Sequence, residues 1–188
     1  MARRRYYYRR VVRPKQKWAI NNVDVRIATP GSITVGAGVN AFYYRTVVAN
    51  GFRTDTTGAA LAVVSSAQIL KCGRFKFKGC IPTSQNYFSF TVFISYVPEG
   101  YTLTQGVVND QNIFYQHPEW IIGWTRKDYS ASSQSNEISI TSRLKRNLNT
   151  GDQIMVGVMV TNSAATDSSL NNTVQLLQGT LSYCCRAN

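Results

Sequence analysis

From Trp18 onward the chain alternates apolar and polar side chains with a period of two, and helical periodicity hardly appears. "NNVDVRIAT" sets Val23, Val25 and Ile27 against Asp24 and Arg26, while "VNAFYYRTVVANG" is aromatic and β-branched. "ILKCGRFKFKG" sets Phe75 and Phe77 against Arg74, Lys76 and Lys78. "YFSFTVFISYVPEG" places Phe88, Phe90, Val92, Ile94 and Tyr96 on one face and ends at a Pro and a Gly. In "EWIIGWTRKDY", Trp120, Ile122 and Trp124 alternate with smaller groups; "NEISITSRLKRN" puts Ile138, Ile140 and Leu144 inside, with Thr141, Arg143 and Lys145 outside. "DQIMVGVMVTN" follows a turn signal at 149–152, and "NTVQLLQGTLSYCC" closes the chain. A short helix is expected only at Gly58–Gln68, and the long connections are Pro98–His117 and Thr161–Asn172.

Eight strand candidates joined by turns and a few long loops predict an all-β domain, an eight-stranded antiparallel jelly roll (β-sandwich) over residues 18–188. No internal repeat is visible. At 188 residues the chain is long enough for one domain with a full core.

Charge changes the picture. The net charge is +12, but residues 1–17 carry eight basic side chains and no acid. The remaining 171 residues carry thirteen basic and nine acidic groups, only +4. A basic arm on a mildly charged body points to a polyanionic partner rather than to a generally basic fold. Like charges this dense repel one another and cannot share a core, so residues 1–17 are expected to be a disordered arm. At about 3.4 Å per extended residue the arm reaches roughly 60 Å. Arg3, Arg4, Arg5, Arg9, Arg10 and Arg13 can fork onto phosphate oxygens, with Lys15 and Lys17 as further cations. Tyr6, Tyr7 and Tyr8 can stack on unpaired bases, a mixture suited to single strands better than to duplex. Arg3, Arg4, Arg5, Arg9 and Arg10 also read as a nuclear-localisation signal for a host importin. Arg74, Lys76 and Lys78 form a second basic cluster; a solvated strand face is the ordinary reading, and a nucleic-acid-facing wall is the functional one.

Catalytic and metal chemistry find little foothold. His117 is the sole histidine, no Walker, GxSxG or paired-carboxylate pattern appears, and one His cannot supply a metal cluster, so no enzyme activity, catalytic metal or cofactor is expected; carboxylates such as Asp55, Asp110, Asp128 and Asp167 meeting across subunit contacts to hold calcium stay open. Cys72, Cys80, Cys184 and Cys185 lack zinc-ligand spacing. Free thiols in a reducing compartment are the expectation, with a Cys72–Cys80 bridge as the alternative if both share a strand face or close a short loop. No apolar segment opens the chain and no run of about 20 apolar residues could span a bilayer, so membrane insertion is not expected.

An Arg- and Tyr-rich arm before a small eight-strand β domain resembles the capsid proteins of small circular single-stranded DNA viruses, the circovirus-like, replication-protein-encoding group. "MARRRYYYRR" resembles their N-termini, and "ILKCGRFKFKGC" a basic, aromatic strand early in their domain. "HPEWIIGWTRKD" is similar to a segment in several members. The length is nearer that of satellite-type coat proteins of small RNA viruses, which leaves DNA or RNA open. The resemblance implies a small (T=1) icosahedral shell of many copies, with the arm turned inward onto the viral single-stranded nucleic acid, DNA favoured. It also implies residence in the virion, passage through the host nucleus, and a host receptor of unknown identity. A cellular nucleic-acid-binding protein with a basic tail is the rival class; the Lys- and Arg-free loop at Thr161–Asn172 speaks against it.

Overall fold

A computed structural model describes residues 18–29, 33–51, 63–64, 69–82, 88–108, 113–128, 137–164, 166, 168–170 and 175–187. Among the described residues twelve strands run in chain order: β1 (Ala19–Ala28), β2 (Ile33–Val35), β3 (Asn40–Asn50), β4 (Val63–Val64), β5 (Leu70–Cys80) and β6 (Phe88–Val97). Then come β7 (Gly106–Val108), β8 (Ile121–Asp128), β9 (Glu137–Leu148), β10 (Gln153–Asn162), β11 (Ser168–Leu170) and β12 (Gln175–Ala187). The eight long ones, β1, β3, β5, β6, β8, β9, β10 and β12, coincide with the eight alternating segments.

Their pairing is nested. The first long strand pairs with the last (β1 with β12), the second with the seventh (β3 with β10), the third with the sixth (β5 with β9) and the fourth with the fifth (β6 with β8), all antiparallel. The chain is thus one long hairpin, rolled so that two further ladders, β12 with β5 and β10 with β6, complete two sheets. One sheet has the order β1-β12-β5-β9, and the other has β3-β10-β6-β8 with β4 and β7 added at β3. This order is a jelly roll, two antiparallel sheets packed face to face.

The core lies between the sheets. Phe75 and Phe77 of β5, Phe88, Phe90, Val92 and Ile94 of β6, Val156 and Val158 of β10, and Leu177 and Leu181 of β12 are fully or nearly fully buried there. Gly79 and Gly179 stand opposite each other on β5 and β12 beneath the Phe77 ring; a Cβ on either would run into the partner strand's carbonyl, Gln178 O or Lys78 O.

Two local readings change, those of Leu144 and of the Gly58–Gln68 segment, and Trp124 departs from its core parity. Leu144 is 50% exposed rather than inside, because the β5–β9 register slips between Gly73 and Phe75 and the irregular stretch of β9 leaves Leu144 on the surface. Trp124 is 57% exposed: the β6–β8 ladder slips beside Ile94, so Ile122 reaches the core and Trp124 turns outward against Phe114. The helix expected at Gly58–Gln68 lies largely outside the described residues, and its described part, Val63–Val64, is a strand parallel to β3. The long connection at Pro98–His117 has structure of its own: β7, a single helical turn α1 (Ile113–Gln116) and a 3-10 turn at Pro118–Trp120 just beyond it.

Candidate nucleic-acid interface

The outer face of the β1-β12-β5-β9 sheet is assembled from cations far apart in sequence. Alternation turns Phe75 and Phe77 inward and leaves Arg74, Lys76 and Lys78 exposed on the outer side of β5, as expected from sequence. Lys71, between buried Leu70 and Cys72, joins them, and the register places Arg186 of β12 beside Lys71. On β9, Arg143 and Lys145 are exposed, and Lys145 lies opposite Gly73 with its aliphatic stem against that glycine. Arg26 projects from β1, between buried Val25 and Ile27. Eight of the twelve Lys and Arg among the described residues therefore share this face.

Little offsets them. Among the described residues Asp24 and Glu137 are the acidic residues of the face; Asp24 accepts a hydrogen bond from Thr180 at 3.1 Å, and Glu137 sits on the edge strand opposite Cys80. The two salt bridges among the described residues, His117–Glu119 and Arg126–Asp128, lie elsewhere. Same-sign neighbours across strands oppose folding, so a face built this way gains from a polyanion that neutralises it.

Arg74 carries a further mark. Its φ of +55° is left-handed, unusual for a residue with a side chain, and the registers to both β9 and β12 slip at this point. The bulge explains why Cys72 and Phe75, three apart, both point inward. Backbone strain of order 1–3 kcal/mol is held here in the middle of the basic face.

Trp18 begins the described chain and stacks on Arg186, with the guanidinium carbon 4.8 Å from the ring centroid. Trp18 thus lies at a corner of the basic sheet. The expected site residues Arg3, Arg4, Arg5, Tyr6, Tyr7, Tyr8, Arg9, Arg10, Arg13, Lys15 and Lys17 lie outside the described residues. Sequence reading missed Arg26, Lys71 and Arg186. It had Arg143 and Lys145 outward without assigning them a role, since alternation gives a side but not a neighbour.

The opposite face differs in kind. Outward residues of the other sheet, Phe42, Phe93, Met155 and Met159, are buried beneath Tyr101, Leu103, Ile113, Phe114, Trp120 and Ile121. Within that cover the His117 ring stacks on Trp120 at 3.7 Å, meets Tyr101 edge-on at 5.1 Å, and pairs through Nδ1 with Glu119 at 3.0 Å. A hydrogen bond from its own backbone amide, then one with His117, holds the Glu119 carboxyl below the usual range. These contacts give His117 a packing role. Among the described residues no group of three His, Cys, Asp or Glu could hold a metal ion. Beside this cover a groove of about 280 Å³ runs between Phe114, Pro118, Ile121 and Trp124, and Tyr115 is 53% exposed.

All four cysteines are free thiols. A Cys72–Cys80 bridge is ruled out: both lie on β5, eight residues or about 26 Å apart, with no loop between them. Cys72 instead faces Cys185 of β12 across the ladder, and burial pushes its thiol up to about 12, with Cys185 adding to the rise.

No protein-family model matches the chain, and no curated protein matches it. Among solved structures, one of Desmodium yellow mottle tymovirus is similar at a TM-score of 0.40 and 10% identity, over 92% of this chain and 89% of that one. A likeness this distant carries no weight for function. The jelly roll rests on the strand order itself.

Proposed function

We propose that this is a viral coat protein, whose jelly-roll domain assembles into a closed shell and whose basic sheet face and arm hold a packaged single-stranded genome, DNA in the favoured version. The observation that carries the reading is segregation. Eight cations with no ion pair among the described residues gather on one face of the sandwich, and apolar cover with exposed Trp124 and Tyr115 lies on the other. A shell subunit has to present charge to its cargo while keeping charge out of subunit contacts, and this division does both. The fold alone would not select the function, because jelly rolls serve many.

In this reading Arg3, Arg4, Arg5, Arg9, Arg10, Arg13, Lys15 and Lys17 neutralise genome phosphates alongside the sheet, and Tyr6, Tyr7 and Tyr8 stack on bases. Arg3, Arg4, Arg5, Arg9 and Arg10 also carry the chain to the host nucleus through importin. The shell is small and icosahedral, and the mature site is the virion.

The test is electron microscopy and native mass measurement of the purified full chain, followed by DNase or RNase treatment of its contents. Uniform closed particles with nuclease-protected single-stranded DNA are expected. Protected RNA would move the reading to the satellite-type coat proteins. A protein that stays monomeric at high concentration across pH and salt would overturn it in favour of a cellular nucleic-acid-binding protein.

A further inference from the structure

We propose that Trp18, backed by Arg186, is a base-stacking platform for an unpaired nucleotide, with Lys71, Arg74, Lys76 and Lys78 along β5 as the phosphate track that continues from it. The proposal rests on the reading of this face as a nucleic-acid interface and states what form of nucleic acid it takes.

Three observations converge. First, Trp18 is on the outer face: the next residues alternate, Asn21 reaching inward to the Cys185 sulfur at 3.0 Å while Ile20 is 74% exposed. The indole is half-buried beside the cations rather than in the core. Second, the Arg186 guanidinium lies 4.8 Å from the ring centroid, and its Nε is buried with no hydrogen-bond partner among the described residues. A cation over the ring holds the indole in one orientation, and among the described residues no carboxylate pairs with it. Third, phosphate binding alone gives no use for an indole, whereas a flat aromatic group among Arg and Lys is what stacks a base while the cations hold the backbone.

The shape of the face selects single strands. Four strands about 4.8 Å apart make a sheet about 14 Å across before side chains are added, wider than the roughly 12 Å major groove, so it cannot enter a duplex groove as a two-stranded ribbon does. Bases of an intact duplex are stacked on each other and have no free ring to offer. Lys76 and Lys78, alternate residues of one strand, stand about 7 Å apart, a spacing that an extended single strand can follow phosphate by phosphate.

The experiment measures binding of the full-length chain to a short oligothymidylate, to an abasic oligonucleotide of equal length, and to a duplex. The variants are Trp18→Ala, Trp18→Phe, and Lys71, Arg74, Lys76 and Lys78 together to Gln. Trp18→Ala should weaken the oligothymidylate about 5- to 150-fold, the range for losing one base stack. It should leave the abasic strand and the salt slope unchanged, and Trp18→Phe should recover much of the loss. With Trp120→Phe and Trp124→Phe in place, Trp18 fluorescence should be quenched by oligothymidylate and not by the abasic strand. If Trp18→Ala changes nothing, or weakens both strands alike, while the Gln variant lowers affinity and flattens the slope, the platform is wrong and the interface stands. If the Gln variant binds every strand as the parent does, the interface reading itself falls.

Discussion

Deleting residues 2–17 should leave a protein that still folds and still binds single-stranded nucleic acid with a steep salt dependence. Each cation that contacts a single-strand phosphate releases a counterion and adds about −0.7 to the slope of log affinity against log salt. The deletion removes eight cations, which accounts for roughly −5 to −6 of the intact protein's slope. If only Arg74, Lys76 and Lys78 remained in play, the truncated protein would show about −2. The structure adds Arg26, Lys71, Arg143, Lys145 and Arg186 to the same face, so the residual slope should lie between about −4 and −6, the lower figure allowing for Asp24 and Glu137. The assay is fluorescence anisotropy of a labelled 40-nucleotide strand, titrated at salt concentrations from about 50 to 200 mM. Replacing Lys71, Arg74, Lys76 and Lys78 by Gln in the truncated protein should then lower the magnitude by close to 3. A truncated slope of −2 or shallower would refute the claim that the whole sheet face is one contact surface.

Other expectations follow from the core and its thiols. Asp152 is 3% exposed and accepts hydrogen bonds from Tyr96 Oη and from the Glu99 and Asn149 amides at 2.9, 3.0 and 2.8 Å; Asp152→Ala should cost about 2–4 kcal/mol in urea unfolding, and a loss under 0.5 would refute that role. Burial first, then the Asp152 hydrogen bond, pushes the Tyr96 phenol up to about 12, and burial does the same for Tyr183. Because these groups hold their protons more tightly folded than unfolded, stability should be full below pH 10 and fall from about pH 10 to 12, a slope that Tyr183→Phe should reduce in urea melts. Gly179→Ala should cost about 1–3 kcal/mol or more, since its Cβ meets backbone that cannot move aside; an unchanged melting temperature would show that the strands separate freely. A reducing agent should leave the melt unchanged and Cys80→Ser should be neutral, whereas Cys72→Ser, which buries a hydroxyl, should cost about 1–3 kcal/mol.

The strands, and the side most residues take within them, are legible in the chain's alternation, because a period of two is a property of one strand and its own burial. Phe75 and Phe77 inward with Lys76 and Lys78 outward needed nothing beyond that alternation. The concentration of charge in the arm is legible in the chain too, since charge density is local. Tertiary structure decided what lies beside what. Arg26, Lys71, Arg143 and Arg186 are spread over most of the chain, and only the nested pairing of β1 with β12 and of β5 with β9 puts them on one face. Alternation also failed where ladders slip: Leu144 and Trp124 have the parity of core residues, yet irregularities beside Gly73 and Ile94 turn them to the surface. Bulges depend on how two strands fit over a shared core, information that neither strand carries alone. Trp18 reads as an ordinary first residue of a strand until β12 brings Arg186 beneath its ring.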